Sequence, residues 1–421
     1  MYLVRQNFPD RSLPDPAAET RRRLAAAGLE RGLAPGAEIA IGAGSRGIAN
    51  LAEIVRAVVD HFRERGFRPF LVPAMGSHGG ATPEGQAAVL AHYGITEASM
   101  GCPVRSSLET VKVGTTEEGI ETYVDRLAFE SDGIVVVNRV KWHTDFQDRI
   151  ESGLLKMIAI GLGKQTGARR YHIWAEKLGL GRVVRSVGRR VLATGKVLGG
   201  IAILEDARHN TARIEAVPAA ELEAREEKLL ELALSWKPNI PADAVDLLIL
   251  DEIGKNISGA GMDTKIVNRS SEAVYNPWPE TPRIRRIFVR DLHPLSYGNA
   301  LGIGFADVTT DRLVEKIDWE ATVVNALTSS KLAPVRVPLH YPDDRRCLEA
   351  AVQTTGRLEL RDVTYCWIRN TLELERAAVS ETLLEAVEAN PRVEVESGPH
   401  PLRFDEAGNL ISPFGLREEA A

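Results

Sequence analysis

Two histidines stand in surroundings suited to chemistry. His78 lies in Gly76-Ser77-His78-Gly79-Gly80, and His143 lies in Asn138-Arg139-Val140-Lys141-Trp142-His143-Thr144-Asp145. An imidazole titrates near neutral pH and both takes and gives protons, so a facing pair suits racemisation or epimerisation. The glycines around His78 let backbone approach a ligand closely. A solitary surface histidine is the plainer reading of the same residues. Around His143, the side chains of Asn138, Arg139, Lys141, Thr144 and Asp145 offer more hydrogen-bonding capacity than a connecting loop requires. The plainer alternative is a solvated turn with Trp142 packed beneath it.

A third segment, Gly42-Ala43-Gly44-Ser45-Arg46-Gly47, matches G-x-G-x-x-G between a strand and a helix. Read as a dinucleotide fingerprint, it places a pyrophosphate on the helix N-terminus. That fingerprint also calls for an acidic residue about 20 residues on, at the end of the following strand. Here that strand runs out into Pro73-Ala74-Met75-Gly76 with no carboxylate. Arg46, Ser45 and the loop's N–H groups suit a single phosphate instead. A glycine-rich turn with a solvated arginine fits the segment too. HExxH, G-x-S-x-G, G-x-x-x-x-G-K-[ST] and glycosidase-like carboxylate pairs do not occur, so zinc hydrolysis, serine hydrolysis and P-loop phosphoryl transfer are unsupported.

The elements that must position these loops follow from periodicity. Residues 37–42 (AEIAIG), 67–75 (FRPFLVPAM), 132–140 (DGIVVVNRV) and 197–206 (VLGGIAILED) read as strands. Amphipathic helices are predicted at 50–66 and from Thr82-Pro83 to Gly94. This is the βαβ pattern of a mostly parallel sheet flanked by helices, and ligands bind beyond the carboxyl ends of such strands. ESGLLKMIAIGLGKQTG predicts a short helix breaking at Gly161 and Gly163. A charged helix over 219–236 reads as a long solvated face and leads into KPNIPAD, a polar link taken as the domain boundary. VDLLILDEIG (245–254) opens a second α/β unit.

The expected fold is therefore α/β, with two α/β domains, mostly parallel sheets flanked by helices, and an active site in the interdomain cleft. Domain one covers 1–240, with 386–421 packing back on it, and domain two covers 245–385. The length of 421 residues supports this division, and the net charge of -6 with scattered Lys and Arg argues against nucleic acid. No window resembles a membrane span or a cleaved leader, and the three cysteines have no CxxC spacing. The expectation is a cytoplasmic protein with a small-molecule partner.

Several of these features, in chain order, resemble the lactate racemase family, the nickel-pincer-nucleotide-dependent 2-hydroxyacid racemases and epimerases. They are Ser45-Arg46 after the first strand, Gly76-Ser77-His78 after the second and His143 after the third. Ser152-Gly153-Leu154-Leu155-Lys156, the pair Gly161 and Gly163, and His172 follow. The sixteen-residue interval from Lys156 to His172 is the most specific match. MGSHGGATPEGQ and ESGLLKMIAIGLGK look like the fuller signature of an uncharacterised subgroup.

The resemblance implies an isomerase whose cofactor is a pyridinium-3,5-bisthiocarboxylic acid mononucleotide holding nickel. It implies His172 as the metal ligand, Lys156 on the thiocarboxyl arm, Ser45 and Arg46 on the phosphate, and His78 and His143 as the acid/base pair. Cofactor-biosynthesis enzymes are then partners. Arg139, Lys141 and Lys255 are candidates to meet a substrate carboxylate. The sequence departs from the family at Ala43, where an acidic residue contacts the ribose, at Trp142, and in a longer segment between His143 and Lys156. The competing readings are an NAD-dependent oxidoreductase using GAGSRG, and a cofactor-binding or storage protein sharing the fold.

Overall fold

A computed structural model describes residues 1–44, 47–271 and 282–415. The chain forms two compact units, Asp10–Lys237, and Met1–Pro9 together with Pro238–Ala421. The first strand, β1 (Tyr2–Gln6), thus belongs with the C-terminal half.

In Asp10–Lys237 the strands are β2 (Glu38–Ala43), β3 (Arg68–Pro73), β4 (Thr110–Thr115), β5 (Glu121–Asp125), β6 (Gly133–Arg139), β7 (Val197–Glu205) and β8 (Thr211–Pro218). Five of them form a sheet in the order β3-β2-β6-β7-β8. The first four run parallel and β8 runs antiparallel to β7. A separate antiparallel hairpin joins β4 and β5. The central strands are apolar throughout because both faces are covered, as parallel sheets require. Ile39, Ile41, Leu71, Val135 and Val137 pack under helix Leu51–Glu64. The alternate residues Ala40, Phe70, Val72, Ile134 and Val136 face Leu154, Leu155, Ile158 and helix Leu180–Leu192.

The helix read as a solvated face, Leu222–Trp236, is a correction: Leu222, Glu226, Leu229, Leu230 and Ala233 are buried. Its apolar residues recur at helical spacing, and the surplus of Glu and Lys on the opposite face masked that stripe.

The second unit is built on an eight-stranded sheet. After β1, its strands are β9 (Ala244–Ile253), β10 (Arg283–Leu292), β11 (Val308–Thr310), β12 (Leu339–Tyr341), β13 (Tyr365–Ile368), β14 (Arg376–Val379) and β15 (Val393–Ser397). Their order is β12-β11-β10-β9-β13-β14-β1-β15. The strands from β12 to β13 run parallel, and β14, β1 and β15 close the edge antiparallel. The placing of 1–9 and 386–421 with the first domain is therefore corrected: β1 and β15 both lie in the sheet of the second unit. Leu3 pairs with Ala378 and Val4 with Val395, registers that join positions nearly the whole chain apart. Local periodicity carries no information about such pairings.

Candidate functional site

The carboxyl ends of β2, β3 and β6 lie side by side in the first unit, and each leads into one of the polar loops. The loop after β2 is described up to Gly44 and again from Gly47; Ser45 and Arg46 lie outside the described residues. A Cβ on Gly44 would come 3.0 Å from Met157 Cε and 3.2 Å from Asn138 Oδ1. Asn138, at the end of β6, donates from Nδ2 to the Gly153 carbonyl at 2.8 Å. Gly44 thus sits against the segment that carries Lys156.

Arg139 donates to the Gly47 carbonyl at 3.1 Å and is ion-paired with Glu205, itself 7% exposed. Glu205 also accepts the Ala49 N–H at 2.9 Å. The pair fastens the C-terminal side of the loop after β2, at Gly47 and Ala49. The charge of Arg139, expected to meet a substrate carboxylate, is paired with Glu205 in this structure.

The loop after β3 is held from below. Ala74 N donates to Ala43 O at 2.9 Å, and Gly76 N donates to Gly161 O at 3.1 Å. Gly76 has φ 62°, a left-handed conformation that glycine adopts without strain. Gly161 belongs to a π-helical turn, Met157–Gly161, and a Cβ there would come 2.6 Å from Ala74 O. Turns of this kind are frequent at functional sites. His78, half-buried, donates its N–H to Met75 O at 3.2 Å. Thr82 caps helix Pro83–His92, accepting from Gly85 N at 3.0 Å, as Thr82-Pro83 predicted.

In the loop after β6, Lys141 and Ser152 form an antiparallel bridge. Lys141 Nζ lies over the Trp142 ring, 5.1 Å from its centroid. The carboxylate of Glu151, 1% exposed, accepts the His143 N–H at 2.6 Å. Asp145 N donates to His143 Nδ1 at 3.0 Å, which places the proton of the neutral ring on Nε2. The ring packs on Phe146 at 4.5 Å.

Lys156, half-buried, ends the short helix Leu154–Lys156, whose N-terminus is capped from another element. Glu226 Oε2 accepts the Leu155 N–H at 2.8 Å, and a Cβ on Gly153 would collide with Glu226 Oε1. Complete burial pushes the Glu226 carboxyl up to about 8. His172 lies in helix Lys164–Leu178 and bonds through Nδ1 to the Ala168 carbonyl at 2.7 Å. A carbonyl only accepts, so Nδ1 carries a proton, and in the neutral ring the lone pair lies on Nε2, a tautomer able to ligate a metal there. Among the described residues no group of three or more His, Cys, Asp or Glu side chains is arranged to hold a metal.

Hydrogen bonds therefore join the segments bearing His78, His143 and Lys156 at one sheet edge, and His172 follows on the next helix. Lys255 belongs to the other unit. It follows β9, donating from Nζ to Gly259 O at 2.6 Å, with its N–H on Ser296 Oγ at 3.0 Å. Glu151, Glu205, Glu226, Gln86 and Lys164 were not singled out by the sequence. Gln86 Nε2 donates to Gly76 O at 2.8 Å and to His78 O at 3.3 Å. A φ of 51° at Lys164 and its full burial have no linear signature.

Fold and site together define a two-unit α/β chain with a polar, histidine-bearing edge on its parallel sheet. No protein-family model matches the chain, and no curated protein matches it in sequence. Among solved structures, a protein from Thermotoga maritima aligns with a TM-score of 0.52 at 12% identity, covering 86% of this chain and 98% of that one. This likeness shows the fold. The lactate racemase apoprotein from Thermoanaerobacterium thermosaccharolyticum aligns with a TM-score of 0.48 at 13% identity, covering 88% of this chain and 99% of its own. No helix of the described residues is long and apolar enough to cross a membrane.

Proposed function

We propose that this chain is a nickel-pincer-nucleotide-dependent racemase or epimerase of a 2-hydroxy acid or sugar acid. The observation that carries the reading is the convergence of the His78, His143 and Lys156 segments at one sheet edge. The Nε2 lone pair of His172, on the following helix, fits a metal ligand. In this reading His172 holds nickel, Lys156 holds the thiocarboxyl arm, and Ser45 with Arg46 holds the phosphate. When bound, the nucleotide supplies an acceptor and donor of hydride at the substrate carbon.

The chain's own work is proton transfer and positioning. Inverting a carbinol carbon needs an acid/base group for each orientation of the substrate hydroxyl, and His78 and His143 supply the two. In this reading His143 gives a proton from its imidazolium form, because the neutral ring with Nδ1 accepting from Asp145 carries only its Nε2 proton and would be left an imidazolate. His78 takes the complementary role. Arg139 and Lys141 are the candidates for the substrate carboxylate, with Arg139 also paired with Glu205.

The test is nickel content and intact mass of the chain produced alongside the cofactor-biosynthesis enzymes. Stoichiometric nickel that is lost in His172→Ala supports the reading. Absence of nickel and of added mass, while a control racemase loads normally, overturns it. Tight NADH binding abolished by Gly44→Val would then favour the oxidoreductase.

A further inference from the structure

Behind the loop that carries His78 lies a buried polar frame drawn from four places in the chain. Lys164 stands at φ 51°, a conformation in which a side chain is strained and glycine is the ordinary choice. It follows Gly163 directly, so a glycine was sterically at hand one position earlier. Its side chain is entirely buried, and its ammonium donates to the Pro73 carbonyl at the end of β3. The same nitrogen lies 3.2 Å from Gln86 Oε1 and 3.0 Å from Asp125 Oδ2.

Asp125 is fully buried as well. Its Oδ1 accepts the Ala128 N–H at 2.8 Å, and its own N–H donates to Leu162 O at 2.7 Å, just before Lys164. Gln86, 0% exposed, has its orientation set by Lys164: the ammonium only donates, so it selects the amide oxygen. The Nε2 of Gln86 is thereby turned to the Gly76 and His78 carbonyls.

We propose that Lys164, Gln86 and Asp125 form a positioning frame that sets the placement of His78. The inference deepens the functional reading above and rests on it for the importance of His78. Burial lowers the proton affinity of Lys164 while Asp125 raises it again, as expected of a charge kept in place by its partner. A core that needed only packing would carry an apolar side chain at position 164, because a buried ion pair is poor value as a stabiliser. What the polar set supplies is direction: each member fixes which way the next one points, ending on the two carbonyls that bracket Ser77.

The test uses the full chain without cofactor and three variants. Gln86→Leu removes both donors to the His78 loop and leaves the ion pair. The double variant Lys164→Met with Asp125→Asn removes the frame without leaving a lone buried charge. Phe70→Leu is a core change on the same sheet that serves as the control for lost stability. Amide hydrogen exchange over residues 76–82 and the imidazole titration of His78, followed by NMR, are the readouts.

The expected result is exchange at least tenfold faster over 76–82 and a displaced His78 titration in Gln86→Leu. The amides of β2 and β6 and the Phe70→Leu control keep their behaviour at these readouts. Should the double variant fail to fold, Gln86→Leu decides alone. Unchanged exchange and titration in Gln86→Leu, or equal changes in Phe70→Leu, overturn the proposal. In nickel-loaded enzyme, Gln86→Leu is expected to lower kcat at least tenfold with KM within twofold and nickel retained. A chain that never loads nickel but shows the exchange and titration effects sinks the functional reading and leaves the frame standing.

Discussion

His78 and His143 are separable from His172 by what each variant should lose. On the proposed function, replacing either histidine with alanine is expected to cut kcat by about 100-fold or more, the usual weight of general acid–base catalysis, with nickel retained. Measured turnover and metal content together check this; turnover and nickel both unchanged in the two variants defeats the two-base assignment.

Glu226 gives a prediction of a different kind. Its carboxyl is pushed up to about 8 by burial, from an ordinary value of 4.5. The folded chain therefore keeps a proton that the unfolded chain releases, and the associated stability is full below the ordinary carboxylate range. It falls as pH rises and is lost as pH passes through about 8. Glu226→Gln mimics the protonated side chain and still offers an oxygen to the Leu155 N–H. Its denaturation midpoint is expected to fall less than the parent's between pH about 5 and about 9; identical profiles would exclude the assignment.

Among the elements, the π-helical turn Met157–Gly161 joins the loop after β3 to the segment that bears Lys156. Helix propensity alone predicts that Gly161→Ala stabilises, by up to about 1 kcal/mol. The contact predicts the opposite sign, because the new methyl would meet the Ala74 carbonyl at 2.6 Å, and backbone on both sides has little room to yield. A destabilisation of about 1–3 kcal/mol is expected by denaturant titration, the ordinary cost of overpacking. Gly76 and Gly161 part company in that variant, so activity should fall with it.

The loops after β2, β3 and β6 were legible as polar breaks because glycine and polar residues interrupt strong apolar strands. The links between those loops were not. Asn138 to Gly153, Gly76 to Gly161 and Arg139 to Glu205 each pair residues whose neighbourhood exists only once the sheet has formed.

For the whole molecule, the placement of β1 between β14 and β15 makes the first nine residues part of the second unit. Deleting Met1–Pro9 would leave two strands without their central partner and expose unpaired edges. Limited proteolysis is expected to cleave within 238–415 much faster in the deletion variant, while 10–237 keeps its resistance. Equal protection of both regions would show that β1 is dispensable. Unfolding of the intact chain should accordingly depart from a single two-state transition, since the units have separate cores.

What this sequence determined by itself was local: the apolar runs that become β2, β3, β6 and β9, the Thr82-Pro83 helix start, and the loops that hold His78 and His143. Each depends on residues within one or two turns or strands of one another, so periodicity and turn chemistry suffice. Tertiary structure alone decided which charges act inside the fold. Glu226 reads as one more acid on a charged helix, yet it caps the Lys156 segment. Arg139 reads as a ligand group, yet it closes on Glu205. Lys164 carries no signal in the sequence, yet it is buried against Pro73, Gln86 and Asp125. The energy of a buried charge depends on partners brought from distant positions, and that information resides in packing rather than in sequence order.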